Sequence, residues 1–410
     1  MLSIKNIRLF LFKILCIFIV FDCVRNSLLY VNDILSYVRD GVMITLFASC
    51  FNVNKFRNTF PTIVKFFFAY LWIIYLLSIA FTPVDSISVG LISFYRMHMF
   101  LILYYMFYWS EDFFGIRHAQ IISKLVHLSL LLVVVNYLGY YWFYEYFTKR
   151  WGGRISIGYP TCDVVTLNYS LVAVLLINTL EISVFKRVVY ALLLIAGIMM
   201  NFSGTGTIIL IFIFAGCIVM FKDTTISVKY LFIILMITLP SILIYVLKSD
   251  EYSSGVTLLE AKFDNITGND EASSNTLAIR ENQAATNTKK YNYSDIRKMF
   301  GLSICAFTRD SLLANKYMFC ENMFECMKIG LGYFGLLLFL LIPIQLLYRT
   351  LRCSTRQLFG ICSIVCGIYL LNNYTVCPMI MIPNIGYFAV FYAYIAKQTT
   401  PISIQNAPLY

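Results

Sequence analysis

Apolar runs of about 17–20 residues recur from one end of the chain to the other, and that length dictates the fold class. Wound as helix, such a run rises about 30 Å, the thickness of a bilayer's hydrocarbon core. Runs such as LLLVVVNYLGYYWF (130–143) show no apolar–polar alternation, which excludes the strands of a membrane barrel. Composition agrees: 60% of residues are hydrophobic and 13% charged, against about 45–50% and about 25% in soluble domains. The expectation is an all-α polytopic transmembrane bundle of about 12 spans. They are placed at 14–30, 36–51, 66–84, 87–109, 125–143, 164–180, 188–202, 206–221, 230–247, 329–348, 357–372 and 378–396. Asp33, Arg39 and Asp40 crowd the start of the second.

A formal net charge of +11 raises the question of a polyanionic partner. Its distribution answers no. With the N-terminus inside, fifteen basic residues fall on the inner side, among them Arg8, Lys55, Arg117, Lys124, Arg349 and Lys397. The short outer loops hold five: Arg25, Arg39, Lys149, Arg150 and Arg154. That is the positive-inside bias of a membrane protein with both termini cytoplasmic, so the basic excess reports topology and no nucleic acid is expected. The N-terminal run NIRLFLFKILCIFIVFDC resembles a signal peptide, but no small-x-small site follows, so it reads as an uncleaved first span. The twelve cysteines lack CxxC spacing, which argues against a zinc or redox centre. Cys305 and Cys320 both fall outside and can pair only in an oxidising compartment.

Three units follow: spans 1–9 in residues 1–248, a long outer loop at 249–321, and spans 10–12 with a cytoplasmic tail at 322–410. The loop's eight Lys and Arg nearly balance nine Asp and Glu ahead of Glu321, so it is no polyanion-binding tail. A connection this long is usually functional. NTLAIRENQAATNTKKYNYSDIRKMF has helical periodicity, which suggests short helices over the outer mouth, whereas DNITGNDEASSN suits a disordered linker. In CENMFECMKIGLGYFGLLLFLL (320–341), taken as one helix, Glu321, Glu325 and Lys328 share a face. That stripe either faces water or walls a site at the membrane surface.

Two further places hold unexpected charge. Arg96 sits midway in a span, where a charge costs at least about 2.5–3.5 kcal/mol and must face a cavity or a partner. His98, two residues on, reads as an interior histidine. Lys149, Arg150 and Arg154 lie on the side the inside rule disfavours, where arginine forks can grip phosphate oxygens. No GxxxxGK[ST] and no HExxH occurs, and no histidine falls on the outer side. Outer cations beside a carboxylate suit a phosphate leaving group and a hydroxyl nucleophile. The arginines would stabilise the departing charge and the carboxylate accept the proton.

With those residues in place, the chain resembles the O-antigen polymerase and ligase superfamily of bacterial envelope membranes. RISIGYPTCDVVTLNYSLV is similar to its Arg-x-x-Gly segment with a downstream Asn, at Arg154, Gly158 and Asn168. MNFSGTGTIIL, with Ser203, resembles its small-residue turn, although Gly204 and Gly206 stand where the family commonly has an arginine. NTLAIRENQ matches its loop arginine at Arg280. KMFGLSI and then CENMFECMKIGLGYFG resemble its Phe–Gly segment and its Asn-bearing span entry at Asn322, where Glu321 replaces the ligases' histidine. The resemblance implies polymerisation of undecaprenyl-diphosphate-linked repeat units at the outer side of the inner membrane, without nucleotide or metal. Glu321, Arg280 and Arg154 would be catalytic, while Arg96, Arg150, Asn322, Gly158 and Ser203 bind substrate. Membrane lipid and a chain-length regulator protein are the other partners it implies. A ligase or a lipid-linked-glycan flippase is the alternative reading.

Overall fold

The computed structural model describes residues 4–22, 34–81, 87–143, 160–201, 204–219, 295–301, 323–353, 355–375 and 382–399. All regular structure among them is helical: α1 (Ile4–Phe21), α2 (Ile34–Cys50), α3 (Val53–Thr59), α4 (Thr62–Phe81), α5 (Ile87–Tyr108), α6 (Ser110–Phe114), α7 (His118–Trp142), α8 (Pro160–Leu176), α9 (Val184–Met200), α10 (Gly204–Val219), α11 (Asp295–Phe300), α12 (Met323–Cys353), α13 (Arg356–Thr375) and α14 (Ile382–Thr399). Helices overlie all the expected segments except 230–247, which lies outside the described residues. The first is displaced. Expected at 14–30, it runs Ile4–Phe21 and takes Lys5, Arg8 and Lys13 into the helix, where straight-chain basic residues lose little rotamer freedom.

Among the described residues, two helices have the length and apolarity to cross a membrane, at His118–Gly139 and Gly330–Arg352. A third candidate is the pair Val53–Thr59 and Thr62–Leu77, bent by 109°. The bend has a local cause: Pro61 disfavours helical geometry at Phe60, which is extended at φ −90°, ψ 133°. Cys162–Leu176 and Thr205–Cys217 are apolar but shorter.

Two pairs of helices show an antiparallel course. α1 and α2 meet at one end through Arg8 and the Ser49 carbonyl and at the other through Asp22 and Arg39. α7 and α8 meet through Ser129–Ser170 and Asn136–Asp163. One end of the bundle therefore gathers Arg8, Lys55, Arg117 and Lys397; it is called the basic end below, and its opposite the far end. α8 and α14 occupy the centre, buried on every side over almost their whole length. Around them the outer helices turn Phe66, Trp72, Leu76, Leu131, Val134 and Leu337 outward. An apolar exterior around an equally apolar interior fits lipid better than water.

α12 breaks at Gly332, whose φ of 71° and ψ of 179° are not helical. The stretch 320–341 is thus not one continuous helix, and Glu325 and Lys328 both precede the break. Its cause is a backbone-to-backbone contact. A methyl group on Gly332 would lie 2.2 Å from the Met299 carbonyl oxygen, and one on Gly301 (φ 82°) 2.3 Å from that of Gly330. Only glycine permits both the approach and the positive φ. The Tyr70 hydroxyl, from α4, is shared between the carbonyls of Phe300 (3.0 Å) and Leu331 (2.7 Å). α11 is the part of the expected loop that the described residues include, and it is pinned to the entrance of α12.

A candidate functional site of buried polar groups

α8 carries Asp163, Thr166, Asn168 and Ser170, all with no exposed surface. A helix enclosed on all sides brings every polar residue into the core, so each needs a partner. Some have one. Asn136 Nδ2 donates to Asp163 Oδ2 at 2.8 Å. The Ser129 hydroxyl meets Ser170 at 2.8 Å and Tyr387 at 2.7 Å, tying α7 and α8 to α14. The Tyr169 hydroxyl donates to Asn384 Oδ1 at 3.2 Å.

Other polar atoms have none among the described residues. Both side-chain atoms of Asn168, Nδ2 of Asn384, Oδ1 of Asn373 and of Asn201, and the Thr166 hydroxyl are buried without a hydrogen bond. Each such group costs about 1–3 kcal/mol. All five residues lie in the middle or far half of the bundle, on three helices and the cap of α9. Amides offer donors and acceptors together, the chemistry that matches water or sugar hydroxyls.

A second group sits nearby in chain order, at the far ends of α1 and α2. Arg39 Nη1 bonds Asp22 at 2.6 Å, while its Nε and Nη2 both reach Asp40 Oδ1, at 2.8 and 2.7 Å. Arg39 is only 4% exposed. The expected outer-loop cation is therefore a buried helix residue held by two carboxylates. Tyr95 of α5 feels the charges of Asp40, Arg39 and Arg96.

Of the sequence-derived site residues, Arg96 is described, half-buried on α5 beside this charged group. Glu321, Arg280, Arg154, Arg150, Asn322, Gly158 and Ser203 lie outside the described residues, as do Cys305 and Cys320. The remaining charges of the expected stripe neutralise each other: Lys328 meets Glu325 at 2.5 Å, each about a quarter exposed. His98 has a structural setting. Its ring packs on Phe94, Phe68 and Trp72, and Nδ1 donates to the Phe94 carbonyl at 2.7 Å. Among the described residues no group of three or more His, Cys, Asp or Glu is placed to hold a metal.

Sequence reasoning singled out Asn168 but missed Asn136, Asn201, Asn373 and Asn384. The signal was present, since each is an amide inside or ending an apolar run. What no run reveals is which faces meet. No protein-family model and no characterised protein matches the chain.

Proposed function

We propose that this chain is a helical membrane enzyme that polymerises lipid-diphosphate-linked oligosaccharide repeat units at the far end of its bundle. The observation that carries the reading is the set of buried amides with unused hydrogen-bonding atoms in that half, Asn168 foremost. A lipid-linked glycan entering between helices brings hydroxyls to satisfy them. The contact of Phe300–Gly301 with Gly330–Gly332 adds support, because it joins two segments that each resemble a motif of the polymerase and ligase superfamily.

On this reading the basic end faces the cytoplasm, in keeping with the inside rule. The chain then crosses the bacterial inner membrane about twelve times, with both termini inside. Arg154 and Arg280 hold the diphosphate, Arg150 and Arg96 support it, and Glu321 takes the proton from the acceptor hydroxyl. The freed oxygen attacks the anomeric carbon. The bond from that carbon to the lipid diphosphate breaks, and the phosphate oxygens keep the electron pair. Asn322, Gly158 and Ser203 complete the substrate contacts.

The test is the surface glycan of a deletion strain on a gel, beside its lipid-linked intermediates. Single repeat units capping lipid A, with no ladder, are expected. Polymer stranded on the carrier would make the chain a ligase. Units trapped at the cytoplasmic face would make it a flippase, and either result refutes the proposal.

A further inference from the structure

At the basic end, the start of α7 opens on a cleft of about 650 Å³ bounded also by the α8–α9 turn and the end of α14. Arg117, Lys124 and Lys397 line it, facing two carboxylates, Glu111 and Glu181. α7 is 25 residues long, and its first amides, at His118 and Ala119, are of the kind no helix can satisfy internally. Arg117, His118, Ala119 and Gln120 all line the cleft, so the positive end of the helix dipole borders it. Lys397 is not a free-swinging charge. Its ammonium rests on the rings of Tyr108 and Trp109, 4.5 and 4.7 Å from their centroids. Lys55 approaches Trp109 at 4.5 Å while bonded to Asp112. His118 lines the cleft, is 8% exposed, and its Nε2 has no hydrogen-bond partner among the described residues.

The geometry points to a binding site for a phosphate ester in this cleft. Helix-start amides and a fixed ammonium recognise phosphate oxygens, and Arg117 adds a planar fork of donors. His118, whose Nδ1 donates to the Phe107 carbonyl, presents Nε2 as a buried acceptor, which suits a hydroxyl of the ester. The volume exceeds a bare phosphate and suits a glycerophosphate-sized group. Two sources present that chemistry: the head group of an anionic phospholipid, favoured by basic pockets between membrane helices, or a water-soluble phosphate ester. The site stands apart from the far-end amides and requires nothing of the polymerase reading.

The experiment uses the full-length protein in nanodiscs, with binding as its readout. In one arm, wild type and the doubly substituted Arg117→Gln, Lys124→Gln protein are offered phosphatidylglycerol against phosphatidylcholine, and retained lipid is counted by native mass spectrometry. In the other, inorganic phosphate and glycerol phosphate are titrated in phosphatidylcholine discs and the melting shift is read. Both substituted residues are exposed, so the variant should fold. Retention of phosphatidylglycerol that falls at least about tenfold in the variant identifies a lipid site. A melting shift by the soluble esters, lost in the variant, identifies a soluble one. Glu181→Gln should tighten whichever binds, by removing a like charge. If the variant binds both classes as wild type does, the proposal is overturned, whatever the enzyme's activity.

Discussion

Replacing Gly332 with alanine puts the α11–α12 contact to a direct test. The added methyl would sit 2.2 Å from the Met299 carbonyl oxygen, far inside contact distance, so the two backbones must separate. Alanine at φ 71° costs about 1–2 kcal/mol by itself. Forcing the strands of chain apart costs about 1–3 kcal/mol more. Losing the shared Tyr70 bond to Phe300 and Leu331 adds about 1 kcal/mol. The expected loss is about 3–6 kcal/mol. Gly301→Ala should cost a similar amount, because it severs the same contact from the other side. The double variant should then cost little more than either alone, with a coupling of about 2–3 kcal/mol. Buried free thiols at Cys16, Cys50, Cys162, Cys217, Cys362 and Cys366 provide the reporter. After accessible thiols are blocked, a thiol-reactive fluorophore reads melting in detergent. Gly41→Ala is the control: nothing lies within 4 Å of its added methyl, and helix propensity predicts a gain of up to about 1 kcal/mol. A Gly332→Ala protein that melts like wild type, or alanine costs that simply add, would refute the contact.

Arg187 donates to the carbonyls of Val174 (2.9 Å), Ile177 (3.0 Å) and Leu180 (2.9 Å), closing the end of α8. Arg187→Ala should cost about 2–3 kcal/mol in the same melting assay, and Arg187→Lys should recover only part. Arg39→Met leaves Asp22 buried without its cation and should destabilise by about 3–5 kcal/mol; adding Asp22→Asn and Asp40→Asn should restore most of it. Asn168→Ala removes no hydrogen bond to a described residue, so its melting should stay within about 1 kcal/mol of wild type, while the glycan ladder in complemented cells should fall at least about tenfold. Arg280→Lys should lower the ladder by at least about tenfold, because a point charge cannot replace a bidentate fork; full activity would remove Arg280 from the site.

Helix positions were legible because run length and the lack of alternation survive any packing arrangement. Boundaries were less so. Nothing in the first run marks where helix begins, and the basic residues that a leader would carry are equally good helix formers, hence the ten-residue displacement of α1. Arg39 was read as a loop charge because its partner Asp22 is on another helix, and only packing brings them together. The amide seam failed for the same reason: Tyr169 and Asn384 meet across 215 residues. Conversely, the Phe–Gly segment and the span entry that follows it meet in a backbone contact that no periodicity encodes. The break within 320–341 was not legible because helical pattern continues on both sides of Gly332, and the break is imposed from outside by Met299 and Gly301.

The enclosure of α8 has a consequence for how the protein is made. A helix that never faces lipid need not be apolar enough to enter lipid alone, and α8 carries Asp163, Asn168, Thr166 and Ser170 within a short apolar stretch. Asp163 stands in its first turn, where the cost at the translocon is below the about 2.5–3.5 kcal/mol of a central aspartate, and Asn168 adds a second polar group nearer the centre. α7 precedes it, is long and apolar, and presents Asn136 and Ser129 at the depths where Asp163 and Ser170 need partners. Nascent α8 is therefore expected to wait beside α7 and leave the translocon as a pair with it. A chain lacking α7, or carrying leucines at Asn136 and Ser129, would reveal the dependence in a glycosylation-mapping assay of α8 insertion.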